Sequence, residues 1–143
     1  MVTIYHCLHI AASPETVRAA LVEKAGLAGW WTKAVEGDSA PGCNLTFRFS
    51  SGAFNTMKVQ SVQPMRVEWE CTAGHEEWTG TRVRFDVRPE GGGAKLCFSH
   101  SGWRGQTEYF GECSFHWAQY LVSLRRFCET GRGTPNEGSS KTS

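Results

Sequence analysis

Apolar and polar residues alternate with a period of two along most of this chain, and the period lengthens decisively only near its end. Thr3 to Ile10 sends Ile4, His6, Leu8 and Ile10 to one face and reads as a first strand. From Asn44 the same period returns, with Leu45, Phe47 and Phe49 against Thr46 and Arg48. Ser51-Gly52 turns the chain, and Met57 and Val59 alternate in the next strand. Gln63-Pro64 turns it again before Val67, Trp69 and Cys71 oppose Arg66, Glu68 and Glu70. The cleanest strand sets Thr81, Val83, Phe85 and Val87 against Arg82, Arg84, Asp86 and Arg88. After a hairpin turn from Pro89 to Gly93, Leu96, Phe98 and His100 alternate with Lys95, Cys97 and Ser99. Six such strands predict a mostly antiparallel meander with one buried and one solvated face.

Two segments break this rhythm. Ser13-Pro14-Glu15 has the chemistry of a helix start: an N-cap hydroxyl, a proline at the first helical position and an acid at the positive dipole end. Val17, Ala20 and Leu21 give that helix its apolar side, Gly26 interrupts it, and Leu27 to Trp31 forms a second short helical turn. Gly37 to Gly42, with Pro41, reads as a loop. The second segment is a long helix from about Thr107 to Thr130, closed by Gly131. At 100° per residue, Phe110, Cys113, Ser114, Trp117, Leu121, Leu124 and Cys128 fall on one stripe. Tyr109, Tyr120 and Phe127 widen it, and Glu108, Glu112, Gln119 and Arg126 lie opposite.

A long helix arriving after a run of strands buries its stripe against their sheet. The expected architecture is α+β: a curved, mostly antiparallel six-stranded sheet wrapped around the terminal helix, with two short helices between strands 1 and 2. The first strand returns to pair beside the last. Cys113 and Ser114 are small where a packing helix favours leucine, so they either leave room beneath the first half of the helix or accommodate sheet aromatics. Residues 1–133 read as one domain, and the polar segment 134–143 as a disordered tail.

Charge narrows the function classes. The net charge of +1, with signs interspersed, offers no field for nucleic acid. No leader pattern or membrane-length apolar run is present, so a soluble, cytoplasmic protein without membrane insertion is expected. The six cysteines, Cys7, Cys43, Cys71, Cys97, Cys113 and Cys128, are scattered without a C-x-x-C pair and read as small hydrophobes. His6-Cys7-Leu8-His9 is the densest group of metal-ligand types, but strand alternation parts His6 from Cys7 and His9. No metal and no cofactor are expected.

Several short stretches, in order, carry a family resemblance. Ile10-Ala11-Ala12-Ser13-Pro14-Glu15-Thr16-Val17 with Leu27-Ala28-Gly29-Trp30-Trp31 opens the chain. Val67-Glu68-Trp69, Trp78-Thr79-Gly80-Thr81 and His100-Ser101-Gly102-Trp103 follow. Gly111-Glu112-Cys113-Ser114 with Trp117, then Glu129-Thr130-Gly131-Arg132-Gly133-Thr134-Pro135, complete the set. Together they resemble the SRPBCC (START-like, Bet v-type) superfamily, in its branch similar to the C-terminal domain of the activator of heat-shock protein 90 ATPase. The resemblance implies a helix-grip fold whose cavity, between sheet and terminal helix, receives hydrophobic molecules. It assigns no reaction, and fold alone does not supply one.

Three functions follow as expectations. The first is binding of a small hydrophobic or amphipathic molecule, with Trp31, Trp69, Phe85, Phe98, His100, Phe110, Cys113 and Trp117 as the pocket wall. In that reading His100 orients the ligand; its alternative is a core histidine bonded to a backbone carbonyl or to Ser114. The second is a chaperone-associated interaction module linked to stress response, implied by the family name, in a monomer or weak dimer. The third is a cyclase- or hydrolase-like enzyme drawing on His100 and Cys113, though no residue is assigned as catalytic. Cys113 and His116 approach each other on the helix, but a nucleophilic pair would need a depressed thiol pKa.

Overall fold

The computed structural model describes residues 2–138. It runs through β1 (Val2–Ile10), α1 (Pro14–Val22), α2 (Lys24–Trp30), β2 (Ala34–Gly37), β3 (Asn44–Arg48) and β4 (Phe54–Gln63). There follow β5 (Arg66–Gly74), β6 (Arg82–Glu90), β7 (Gly93–Trp103) and α3 (Glu108–Thr130). The strands form one antiparallel sheet in the order β1-β7-β6-β5-β4-β3-β2, so the first strand does pair beside the last. The fold is the expected α+β helix grip, with both short helices between β1 and β2.

The sheet has seven strands where six were expected. The addition is the edge strand β2, which pairs Ala34 with Arg48 and Gly37 with Leu45. Its first three residues are half-buried and Gly37 is exposed, so it joins the ladder through its backbone without an alternating apolar face. A hydrophobic pattern cannot register such a strand.

The helix ends follow local chemistry. Ser13 Oγ accepts from the Thr16 N–H at 3.1 Å, with Pro14 at the first turn. Glu23, not Gly26, separates α1 from α2. Gly26 is buried inside α2, where a Cβ would stand 2.7 Å from the Ala20 Cα. The glycine therefore lets two helices touch and does not break one. Thr107 caps α3 by accepting from the Phe110 N–H at 3.0 Å. Gly131, at φ 85°, ends the helix in the left-handed region, and its N–H donates to the Phe127 carbonyl.

Along α3, Phe110, Cys113, Trp117, Leu121 and Leu124 are buried, whereas Ser114 and Cys128 are half-buried. Ser123 lies outside the expected stripe yet is also buried. Its hydroxyl donates to the Trp30 carbonyl at 2.8 Å and accepts from the Thr134 N–H at 2.7 Å, tying α3 to both α2 and the following segment. That segment corrects the expectation of a disordered tail from residue 134. The Asn136 N–H donates to the Trp31 carbonyl, the Lys33 N–H donates to the Asn136 carbonyl, and Asn136 Oδ1 accepts from the Ser50 N–H at 2.9 Å. Backbone pairing of Asn136, with side-chain bonds at Thr134, Glu137 and Gly138, holds this segment in spite of its polar composition; the rest of that expectation, 139–143, lies outside the described residues.

Ser123→Ala should lower unfolding free energy by about 1–3 kcal/mol in urea titration, since it strands a buried carbonyl and N–H together. An unchanged midpoint would show that other contacts hold α2 and the 134–138 segment to the helix.

Candidate functional site

The face that α3 turns to one end of the sheet begins with Tyr109, Glu112, Cys113, His116, Trp117 and Tyr120, a run at helical i, i+3, i+4 spacing. These six side chains form one wall of a cavity of about 650 Å³, open to solvent on one side. The facing wall comes from Phe49, the turn between β3 and β4, Phe54 and Asn55 at the start of β4, and His75 just beyond β5. Trp31, at the end of α2, and Trp78, in the β5–β6 connection, line the interior. Asn136 contributes to the rim.

The interior is aromatic and rigid. The Trp31 ring lies 4.9 Å from that of Trp117, 4.2 Å from Phe47 and 6.0 Å from Trp69, on which it stacks. Trp78 stacks beside Trp117 at 6.0 Å, and its indole N–H donates to Cys113 Sγ at 3.3 Å. The mouth is polar. Glu112 and His116 are exposed there, and His75 stacks on Tyr109 with ring centres 3.8 Å apart. Asn55 Oδ1 is buried in the wall with no hydrogen-bond partner among the described residues. Burial raises the pKa of both the Tyr109 phenol and the Cys113 thiol.

Beneath this interior runs a directional chain of hydrogen bonds. The Trp117 indole N–H donates to His100 Nδ1 at 3.1 Å, which fixes Nδ1 as an acceptor. The proton therefore resides on His100 Nε2, which donates to Thr81 Oγ1 at 2.7 Å. The Thr81 hydroxyl in turn donates to the Trp78 carbonyl. His100 is 0% exposed, between Trp78 at 4.7 Å and Trp103 at 4.8 Å. Burial pushes its pKa down to about 3, so the ring stays neutral.

Of the eight residues expected on the pocket wall, the structure brings Trp31, Cys113 and Trp117 to the cavity. Trp69, Phe85 and Phe98 lie in the packed layer against the sheet, with Phe98 4.4 Å from Trp117. Phe110 packs edge-on against Trp103 at 5.1 Å. His100 is displaced from the role expected of it: both ring nitrogens are engaged by the protein, and the partners are Thr81 and Trp117, neither a backbone carbonyl nor Ser114. Ser114 instead meets His6, whose Nε2 donates to its carbonyl at 3.2 Å. Strand parity puts Phe98 and His100 on the concave face, where they occupy its filled centre, away from the open cavity. His75 and Asn136 lie in a turn and the terminal segment, which carry no periodicity, whereas Asn55 shares the inward parity of Met57 and Val59 on β4, and the 109–120 spacing on α3 also carries a signal. Cys113 and His116 share the cavity, but burial raises the thiol pKa, opposite to what a nucleophilic pair needs. Among the described residues no three His, Cys, Asp or Glu side chains gather as a metal site, and no helix is long and apolar enough to cross a membrane.

A curved antiparallel sheet gripping a long terminal helix, with an aromatic cavity beside that helix's first turns, defines a helix-grip protein of the SRPBCC type. The sequence profile of the Activator of Hsp90 ATPase homolog 1-like protein family matches residues 11–129, and the chain belongs to that family. The solution structure of the Aha1 dimer from Colwellia psychrerythraea is 34% identical, covering 93% of this chain and 100% of that one, with a TM-score of 0.86. A crystal structure of a Mesorhizobium loti protein shares the fold at 21% identity, covering 87% of this chain and 95% of that one, with a TM-score of 0.77. One from Staphylococcus saprophyticus does so at 15% identity, covering 93% and 96%, with a TM-score of 0.76. A search of curated proteins found no match.

The depressed pKa of His100 makes a signed prediction. The unfolded ring takes up a proton near pH 6.5 and the folded ring near pH 3, so the stabilisation is fully present above pH 6.5. Between those values stability should fall as the pH is lowered, by up to about 1.4 kcal/mol per unit. His100→Gln, which keeps an acceptor and a donor but no titration, should lack this component, so the urea-derived stability of the wild type should decline relative to the variant as the pH is lowered below 6.5. Parallel pH profiles for the two proteins would contradict it.

Proposed function

We propose that the chain binds a small amphipathic molecule in the cavity between the β3–β4 end of the sheet and the first turns of α3. The observation that carries this reading is the cavity itself, whose 650 Å³ falls within the range of small-molecule sites. Its Trp31, Trp78 and Trp117 interior suits an apolar body held by burial of surface, about 25 cal/mol per Å² before ordering costs. Its mouth, with Glu112, His116 and His75, suits a polar end left near solvent. Asn55 Oδ1, unpaired in the wall, favours a ligand that brings an N–H or O–H donor. The family is compatible with such a function, and its name does not specify the ligand.

Native mass spectrometry of freshly purified protein should detect a co-purified small molecule. Titration of the emptied protein with 1-anilinonaphthalene-8-sulfonate, an aromatic probe with an N–H donor, should saturate at one site. His116→Trp, an added ring at an exposed position of the mouth, should weaken that binding at least tenfold while near-ultraviolet circular dichroism reports an intact fold. The absence of both a co-purified mass and saturable binding would overturn the reading, as would undiminished affinity in His116→Trp.

Family membership supports a second reading, a chaperone-associated module. It expects this chain to raise the ATPase rate of an Hsp90 chaperone in a steady-state assay, and an unaltered rate across a concentration series would remove it. The Colwellia psychrerythraea relative is a dimer in solution, which favours self-association here too; a sedimentation profile independent of concentration and monomeric throughout would exclude that.

A further inference from the structure

We propose that Cys7 and Cys97 form a reversible cross-strand disulfide by exchange with a low-molecular-weight disulfide of the glutathione type. Cys7 on β1 and Cys97 on β7 are direct register partners, with sulfurs 2.6 Å apart. Opposite residues of an antiparallel pair hold their Cα atoms about 4.5–5.5 Å apart, inside the range a disulfide spans. Closure therefore asks for adjustment of side chains alone. The pair lies on the face of the sheet turned away from α3, so the inference is independent of the ligand cavity. Cys7 is exposed and Cys97 partly exposed, which gives a small reagent access.

Pairing and access distinguish these two from the other cysteines. Burial and the neighbouring Cys7 sulfur raise the Cys97 thiol pKa, and the Tyr5 hydroxyl, two residues before Cys7 on the same strand, hydrogen-bonds both sulfurs and partly opposes that rise. Arg88 adds positive charge that also opposes the rise. Burial also raises the thiol pKa values of Cys71, Cys113 and Cys128, but none of these has a cysteine as its register partner. The thiolate is the reacting species, so access to a small reagent and direct cross-strand pairing select the surface pair.

The step balances as two exchanges. The Cys7 thiolate attacks one sulfur of oxidised glutathione, forming a mixed disulfide and releasing one glutathione thiolate. The Cys97 thiolate then attacks the Cys7 sulfur, closing the protein disulfide and releasing the second. The two electrons lost by the protein thiols reduce the glutathione disulfide, and their two protons end on the released thiols. The product would link positions separated by 90 residues, fastening edge strand β1 covalently to β7.

The native protein is incubated with oxidised glutathione, quenched in acid, then unfolded and alkylated for intact-mass and peptide analysis. The expected product carries four alkyl groups instead of six, no glutathione, and a peptide linking Cys7 to Cys97. Dithiothreitol should restore all six alkylatable thiols. Cys97→Ser should arrest at a glutathione adduct on Cys7. Six alkylated thiols in the wild type, a product that stops at glutathione adducts, or a bridge between any other cysteines overturns the proposal.

Discussion

The structure depends on the hydrogen bond from the Trp117 indole to His100 and on what that bond compels next. Helix α3 covers a sheet face made of large apolar side chains, and one imidazole lies among them with no access to water. A buried polar ring must satisfy both nitrogens or cost several times what one hydrogen bond contributes. Trp117 satisfies one and Thr81 the other, and Thr81 passes its own proton to the carbonyl of Trp78. Three separated segments, α3, β7 and the β5–β6 connection, are thereby held in one register by a directional contact that apolar packing alone does not provide. The two indoles so positioned form much of the cavity interior. The histidine acts on the site through the residues it places and presents no atom of its own there.

Most of the architecture was legible because its determinants are periodic. The alternation at Val83, Phe85 and Val87 and the stripe at Phe110, Cys113, Trp117, Leu121 and Leu124 report burial directly, and these residues are buried. Where backbone pairing, not side-chain burial, forms the element, the pattern is silent. Strand β2 pairs all four residues without a buried apolar position, and Asn136 is secured by its peptide group and side-chain amide. Gly26 illustrates a different limit. Its residue type signals an unusual backbone requirement, but close helix approach and helix termination make the same demand in sequence.

The site was legible in kind more than in membership. The small side chain of Cys113 does mark space beneath the first turns of α3. Parity also placed Phe98 and His100 on the concave face, as observed, but a concave face has a filled centre as well as an open end. Which residues occupy each depends on how far Trp117 reaches across the sheet, a property of the assembled helix and not of any strand. The aromatic content shows the same division: Trp69 and Phe85 serve as packing, whereas Trp31 and Trp78 divide themselves between packing and the cavity surface. Family membership agrees with the fold and leaves the occupant to the chemistry of that surface.

Asn136 extends this last point toward the end of the described residues. The family profile match ends at residue 129, yet Asn136 lies beyond it and still contributes to the cavity rim while pairing with Trp31 and Ser50. The cavity rim therefore draws on a residue outside the segment that the family profile matches. A short polar segment, fixed by the peptide group and side-chain amide of one residue, thus shapes an edge of the cavity without adding to the apolar core.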